Sequence, residues 1–127
     1  MLTSVHLFIY SDDAAATRAF LRDVVGWLSV EEPDSGGWLI FQTGPSELGV
    51  HPTSQTWEGE SYSFPRHHSI PLMCDELEPT IAELDGKGAT FAGEIQAFEF
   101  GRGIMLEVPA ADPILLYQPT HPTAYDL

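Results

Sequence analysis

Cationic side chains are scarce in this chain: five Lys and Arg stand against nineteen Asp and Glu, a formal net charge of −14 at neutral pH. Such a field repels phosphate backbones and anionic bilayers, so neither nucleic acid nor a membrane is expected as a partner. Cysteine is reduced to Cys74, which excludes an internal disulfide and points to a reducing, cytoplasmic location. Lying in an apolar stretch beside Asp75, Cys74 should hold its proton, because burial and a neighbouring carboxylate both disfavour a thiolate. Long apolar runs are missing too. The N-terminal one is cut at Asp12-Asp13 and has no cationic segment ahead of it, so neither a signal peptide nor a membrane span is expected. No nucleophile elbow, Walker loop, dinucleotide fingerprint or Cys-rich metal motif occurs, which removes the catalytic machineries most readily legible in a sequence.

What is present is a globular composition, with 43% hydrophobic residues in 127, enough for one compact domain or two small modules sharing a core. Residues 5–10 alternate and are rich in β-formers, which predicts a strand. Ser11-Asp12-Asp13 then offers N-cap chemistry, Ala16, Ala19, Phe20 and Val24 recur at helical spacing, and Gly26 is a natural stop. Strands are expected over 26–32, 38–42 and 47–51, with turns over 33–37 and 43–46. Residues 53–66 have no steady period and read as a linker. The pattern then restarts: a strand over 69–74, a helix beginning at Asp75-Glu76 with Leu77, Ile81 and Leu84 on one face and ending at Gly86-Lys87-Gly88, and strands over 90–98, 103–108 and 113–118.

The two halves echo each other. One constant shift carries His6 onto Ser69, Tyr10 onto Met73, Asp12 onto Asp75, Asp13 onto Glu76 and Leu21 onto Leu84, and LGVHPT at 48–53 lies on LLYQPT at 115–120. The expectation is an α+β fold of two βαβββ modules, residues 1–53 and 67–127, joined by a linker at 54–66. Their helices would lie outside and their bare sheet faces would curve around a central cleft.

The strand followed by SDD and a helix, the run MCDELEPTIAELDGKGATF, and the closing PILLYQP together resemble the vicinal oxygen chelate superfamily, which includes glyoxalase I, bleomycin-resistance proteins and extradiol dioxygenases. The resemblance covers essentially the whole chain. It implies a curved sheet around the site, association of two chains into a homodimer, and, in the enzymes, a divalent metal held by one residue from the first and fourth strands of each module. The matching positions here are His6, Leu48, Ser69 and Leu115. Leucine offers neither lone pair nor charge, so no metal and no other cofactor is expected at that place.

Strand parity puts His6, Phe8 and Tyr10 toward the cleft and Val5, Leu7 and Ile9 toward the helix. Ser69 and Met73 share the cleft parity, as do Leu48, Val50, Leu115 and Tyr117, and the third strands add Trp38, Ile40 and Met105. This lining is apolar and aromatic with few polar handles, the usual makeup of a small-molecule site, although the same side chains could fill a closed core. A displaced metal site would have to draw on His51, His67 or His68 with Glu107. His67 and His68 are neighbours on an extended chain and point oppositely, so they cannot both face one ion without a bulge. His121 lies in a Pro-rich tail and reads as a surface residue. Arg66 and Arg102 are candidate anchors for a carboxylate, or partners of surface acids.

The expected function is metal-free binding of a small, partly aromatic molecule. Two alternatives stand beside it: a metal-dependent lyase, isomerase or dioxygenase with a displaced site, and a metal-free enzyme using His6 or Tyr10 as a general base.

Overall fold

The computed structural model of the protein describes residues 6–31, 39–50 and 52–127. Trp38, His51, Val5 and the turn expected at 33–37 lie outside the described residues. Among the described residues the fold is α+β, with two α-helices, two antiparallel hairpins and one mixed four-stranded sheet.

Helix α1, Ala14–Phe20, starts where the Asp13 carboxylate accepts the Ala16 N–H at 3.1 Å, which satisfies one of the donors a helix start leaves unpaired. A π-helical turn, Leu21–Val25, continues it to Gly26. Gly26 has φ 84°, and its N–H returns to the Leu21 carbonyl at 3.0 Å. The stop is where the sequence predicts it.

Two antiparallel hairpins follow. Strand β1, Ser29–Glu31, pairs with β2, Leu39–Phe41. Strand β3, Ser54–Trp57, pairs with β4, Glu60–Ser63, so the segment expected to link the halves carries a hairpin of its own. Its turn residues, Glu58 at φ 51° and Gly59 at φ 81°, are both left-handed, the conformation that suits the twist of a tight hairpin.

Strand β5, Leu72–Met73, opens the second half and leads into helix α2, Leu77–Gly86. That helix ends in a Schellman motif: Gly88 at φ 94° donates to the Asp85 carbonyl at 3.0 Å, and the Ala89 N–H donates to the Leu84 carbonyl at 3.0 Å. Strands β6, Phe91–Phe98, β7, Gly101–Leu106, and β8, Ile114–Pro119, complete a four-stranded sheet ordered β5-β8-β7-β6, in which only β5 and β8 run parallel.

One face of this sheet carries the core. Ile104, Leu106 and Leu116 pack with Leu77 of α2 and with Phe20 and Leu21 of the first helical segment, and Leu77 and Leu106 are wholly buried. Full burial of a leucine contributes about 2 kcal/mol, so helices from both halves close on one sheet face. The other face of β7 and β8 is the one that matters for function.

The strands expected over 5–10 and 47–51 differ from the outcome: residues 6–10 and 47–50 belong to no ladder. A strand exists only when another chain segment answers its N–H and C=O groups, and nothing in a residue's own alternation supplies that partner. Ile9 packs against the core, as parity predicts, whereas Leu7 on the same side remains half exposed.

Candidate functional site

The ladder sets the outer face of the last sheet. Met73 lies opposite Tyr117, Tyr117 opposite Gly103, Met105 opposite Leu115, and Phe98 opposite Gly101 opposite Pro119. Gln118, of the opposite parity, turns to the helix side, where its Oε1 accepts the Leu77 N–H at 2.9 Å.

Glycine is required in the middle of this face. A Cβ on Gly103 would stand 2.8 Å from the Leu116 carbonyl oxygen and 2.9 Å from both Leu115 Cδ1 and Tyr117 Cβ. The space a side chain would take is occupied by Leu115 and Tyr117 leaning across β7. Gly101 and Gly103 are thus covered, and Met73, Met105, Leu115 and Tyr117 share one apolar sheet face.

Aromatic rings stand at one end of this face. Phe98 and Phe100 stack at 4.9 Å with 5° between their planes, and Phe100 meets the Tyr117 ring edge-on at 5.3 Å, a favourable arrangement for ring quadrupoles. The Tyr117 hydroxyl lies 3.0 Å from His121 Nε2, and His121 Nδ1 lies 2.8 Å from the Pro122 carbonyl oxygen. Glu47 approaches from the first half, with Oε1 3.9 Å from His121 Nε2 and Oε2 accepting the Ala124 N–H at 2.5 Å. Burial first, and the Glu47 charge second, push the Tyr117 phenol above its ordinary pKa, so it stands as a neutral phenol at neutral pH.

The Cys74 thiol donates to the Tyr117 carbonyl at 3.6 Å. Burial is the main cause pushing its pKa up, joined by Asp75 and Glu78 against a lowering contact from Thr80, so Cys74 remains a thiol.

The structure thus brings together Met73, Met105, Leu115 and Tyr117 among the residues proposed from sequence. It does not gather the first-half set around them. His6 stacks on Phe8 at 4.5 Å, and both are exposed. Tyr10, Leu48 and Val50 are 91%, 79% and 93% exposed. Ile40 sits exposed on β2, and Ser69 lies exposed ahead of β5. The aromatic pair Phe98 and Phe100 and the polar pair Glu47 and His121 escaped sequence reasoning. His121 belongs to a bonded cluster, and Arg102 pairs with Glu78 of α2 on the helix side.

Leu115 lies across Gly103 and Leu48 projects into solvent, and neither has an electron pair to offer. Among the described residues no three His, Cys, Asp or Glu side chains are grouped to hold an ion. Among the same residues no helix is long and apolar enough to cross a membrane.

No protein-family model matches the sequence, and comparison with curated proteins finds no match. Solved structures do match. TnmS3, an antibiotic binding protein from Streptomyces sp. CB03234, is 20% identical with a TM-score of 0.61, covering 94% of this chain and 98% of its own. Lactoylglutathione lyase from Agrobacterium tumefaciens is 14% identical with a TM-score of 0.60, covering 91% and 92%. A member of the glyoxalase/bleomycin resistance protein/dioxygenase superfamily from Sphaerobacter thermophilus DSM 20745 is 16% identical with a TM-score of 0.59, covering 92% and 98%. The chain therefore has the fold of that superfamily, the one its sequence motifs resemble.

Proposed function

We propose that the protein binds a small, partly aromatic molecule against the sheet face of Met73, Met105, Leu115 and Tyr117, without the divalent metal of the vicinal oxygen chelate enzymes. The observation that carries this is an apolar sheet face shared by Met73, Met105, Leu115 and Tyr117, with the stacked Phe98 and Phe100 rings at one end. Apolar and aromatic side chains with a few polar groups nearby are the usual makeup of a small-molecule site. The fold is shared with an antibiotic binding protein, which supports the reading by analogy only, since one fold hosts many chemistries.

The first-half residues of the proposed cleft, His6, Phe8, Tyr10, Trp38, Ile40, Leu48 and Val50, belong to the same reading through the paired-module arrangement. They would complete a binding surface in a homodimer. Tyr10, Leu48 and Val50 are 91%, 79% and 93% exposed within one chain, apolar area that a second copy would cover. Isolated two-stranded hairpins such as β1–β2 and β3–β4 are also marginal in water unless something packs on them. A cytoplasmic location goes with the reading, on the strength of the single thiol.

The test is a calorimetric screen of purified protein against small aromatic compounds, with elemental analysis of the same preparation. Binding weakened at least tenfold by Leu115→Glu, in metal-free protein, is the expected result. Stoichiometric metal that is lost on His6→Ala would overturn it in favour of a metal-dependent lyase, isomerase or dioxygenase.

A further inference from the structure

Strand β8 ends at Pro119, yet the chain stays on the sheet. The Thr120 N–H donates to the Phe100 carbonyl at 2.9 Å and its hydroxyl to the Glu99 carbonyl at 3.3 Å, which anchors the last residues beside the β6–β7 turn. His121 then brings Nε2 to 3.0 Å from the Tyr117 hydroxyl. That bond stands in either protonation state of the ring: an imidazolium donates to the phenol oxygen, and a neutral ring protonated at Nδ1 accepts from it. Farther on, the Ala124 N–H donates to Glu47 Oε2 at 2.5 Å, and Glu47 Oε1 lies 3.9 Å from His121 Nε2. The tail is thus fastened at its base by its own sheet and near its end by a carboxylate from the first half.

These ties are few. Among the described residues, the hydrogen bonds from residues 121–127 to the rest of the chain end on Tyr117 and Glu47, and residues 124–127 are exposed. A terminal segment is ordered where something ties it down, and one that buries little apolar surface opens at low cost. A carboxylate suits such a fastening. Closed, the Glu47 side chain is only 17% exposed and is answered by an N–H and an imidazole; open, water answers it, so neither state strands a buried charge. What the closed tail shields is Tyr117, which is 8% exposed with His121 at its hydroxyl and Phe100 at its ring edge.

We propose that residues 120–127 form a strap that closes over the Tyr117 hydroxyl, with the bond between Glu47 and the Ala124 N–H as its latch. Opening the latch uncovers the end of the sheet face where Tyr117 and Phe100 meet. A molecule bound against that face then competes with the strap, a consequence that rests on the proposed binding of a small molecule there, whereas the strap itself does not.

The test is acetylation of the full chain by N-acetylimidazole near neutral pH, mapped to each tyrosine by mass spectrometry. Tyr10, Tyr62 and Tyr125 are exposed and serve as internal references. In wild type, Tyr117 should react much more slowly than these three. Ala124→Pro removes the latch N–H at an exposed position, and Glu47→Ala removes its acceptor. Each should speed Tyr117 about fivefold or more, the worth of one net hydrogen bond, while the reference tyrosines keep their rates. If Tyr117 reacts in wild type as fast as Tyr10, or stays as slow in Ala124→Pro as in wild type, the strap is overturned. Should Glu47→Ala speed all four tyrosines alike, that variant is unfolded and Ala124→Pro decides. In the calorimetric screen, tighter binding of an aromatic compound by Ala124→Pro than by wild type is the expected result, and equal binding overturns the competition. Binding by neither chain overturns the small-molecule reading and the competition with it, while the labelling still decides the strap.

Discussion

The Thr17 hydroxyl of α1 donates to the Pro109 carbonyl just beyond β7 at 2.6 Å. Its oxygen lies 2.7 Å from Ser11 Oγ, which in turn accepts the Asp13 N–H at 3.1 Å. Since Thr17 has one proton and spends it on Pro109, the Ser11 hydroxyl must donate to Thr17. A directed chain of hydrogen bonds therefore runs from the start of the first helix into the second half, reinforced by the Asp12 N–H to the Ala110 carbonyl at 2.8 Å. Thr17 is only 4% exposed, so a broken link cannot be repaired freely by water. Thr17→Val keeps the shape and deletes both bonds. It should destabilise the fold by about 1–3 kcal/mol, read as a lower urea midpoint with an unchanged slope. An unmoved midpoint would mean the two halves are held by apolar packing alone.

Helix α2 borrows its cap. Glu76 occupies the N-cap position without a side-chain bond of its own, and the buried Leu77 N–H is satisfied instead by Gln118 Oε1 on β8. Removing a cap costs about 1 kcal/mol. Gln118→Leu should lose about that amount in chemical denaturation, and Glu76→Asp, which places a short acceptor at the N-cap, should restore much of it in the double variant. Failure of the second change to rescue the first would assign the loss to strand packing.

Legibility in the sequence followed the range of the interaction. The Asp13 cap, the Gly26 stop and the Gly88 Schellman ending are each set within a few residues, and each stands where pattern and residue type put it. Period-two parity likewise suffices to order Met73, Leu115 and Tyr117 on one sheet face. The segments 6–10 and 47–50 carry the same alternation but have no ladder partner, because pairing is decided by what lies alongside. The β3–β4 hairpin escaped because its polar strands lack an apolar rhythm, although Glu58-Gly59 is a turn signal that could have found it. Glu47 meets His121 and Ala124 only through the tertiary fold, and no local spacing announces that meeting.

Tyr117 should make stability depend on pH in the alkaline range. Burial and Glu47 raise its pKa in the folded chain, so the native state keeps the proton to higher pH than the unfolded chain, whose tyrosines ionise near about pH 10. The native state then binds more protons, and unfolding free energy falls as pH rises. This contribution is whole below the unfolded value and disappears as pH climbs through the folded one. Wild type should lose stability above about pH 10 more steeply than Tyr117→Phe when urea midpoints are compared across pH. Parallel curves would mean that the phenol sits in water in both states.

The apolar first half argues for a second copy. Tyr10 and Val50 are 91% and 93% exposed within one chain, so changing them should hardly affect an isolated monomer, where exposed substitutions stay within about 0.5 kcal/mol. In a homodimer formed through that face, the same positions are buried, and a carboxylate there would be left without a partner. Sedimentation equilibrium should accordingly give twice the 14.0 kDa chain mass for wild type and the chain mass for Tyr10→Asp/Val50→Asp. Wild-type Tm should rise with protein concentration, since association stabilises by mass action, while the variant's should be lower and flat. A wild type sedimenting as single chains at micromolar concentration, with a Tm indifferent to dilution, would show that the exposed face is not where two copies meet.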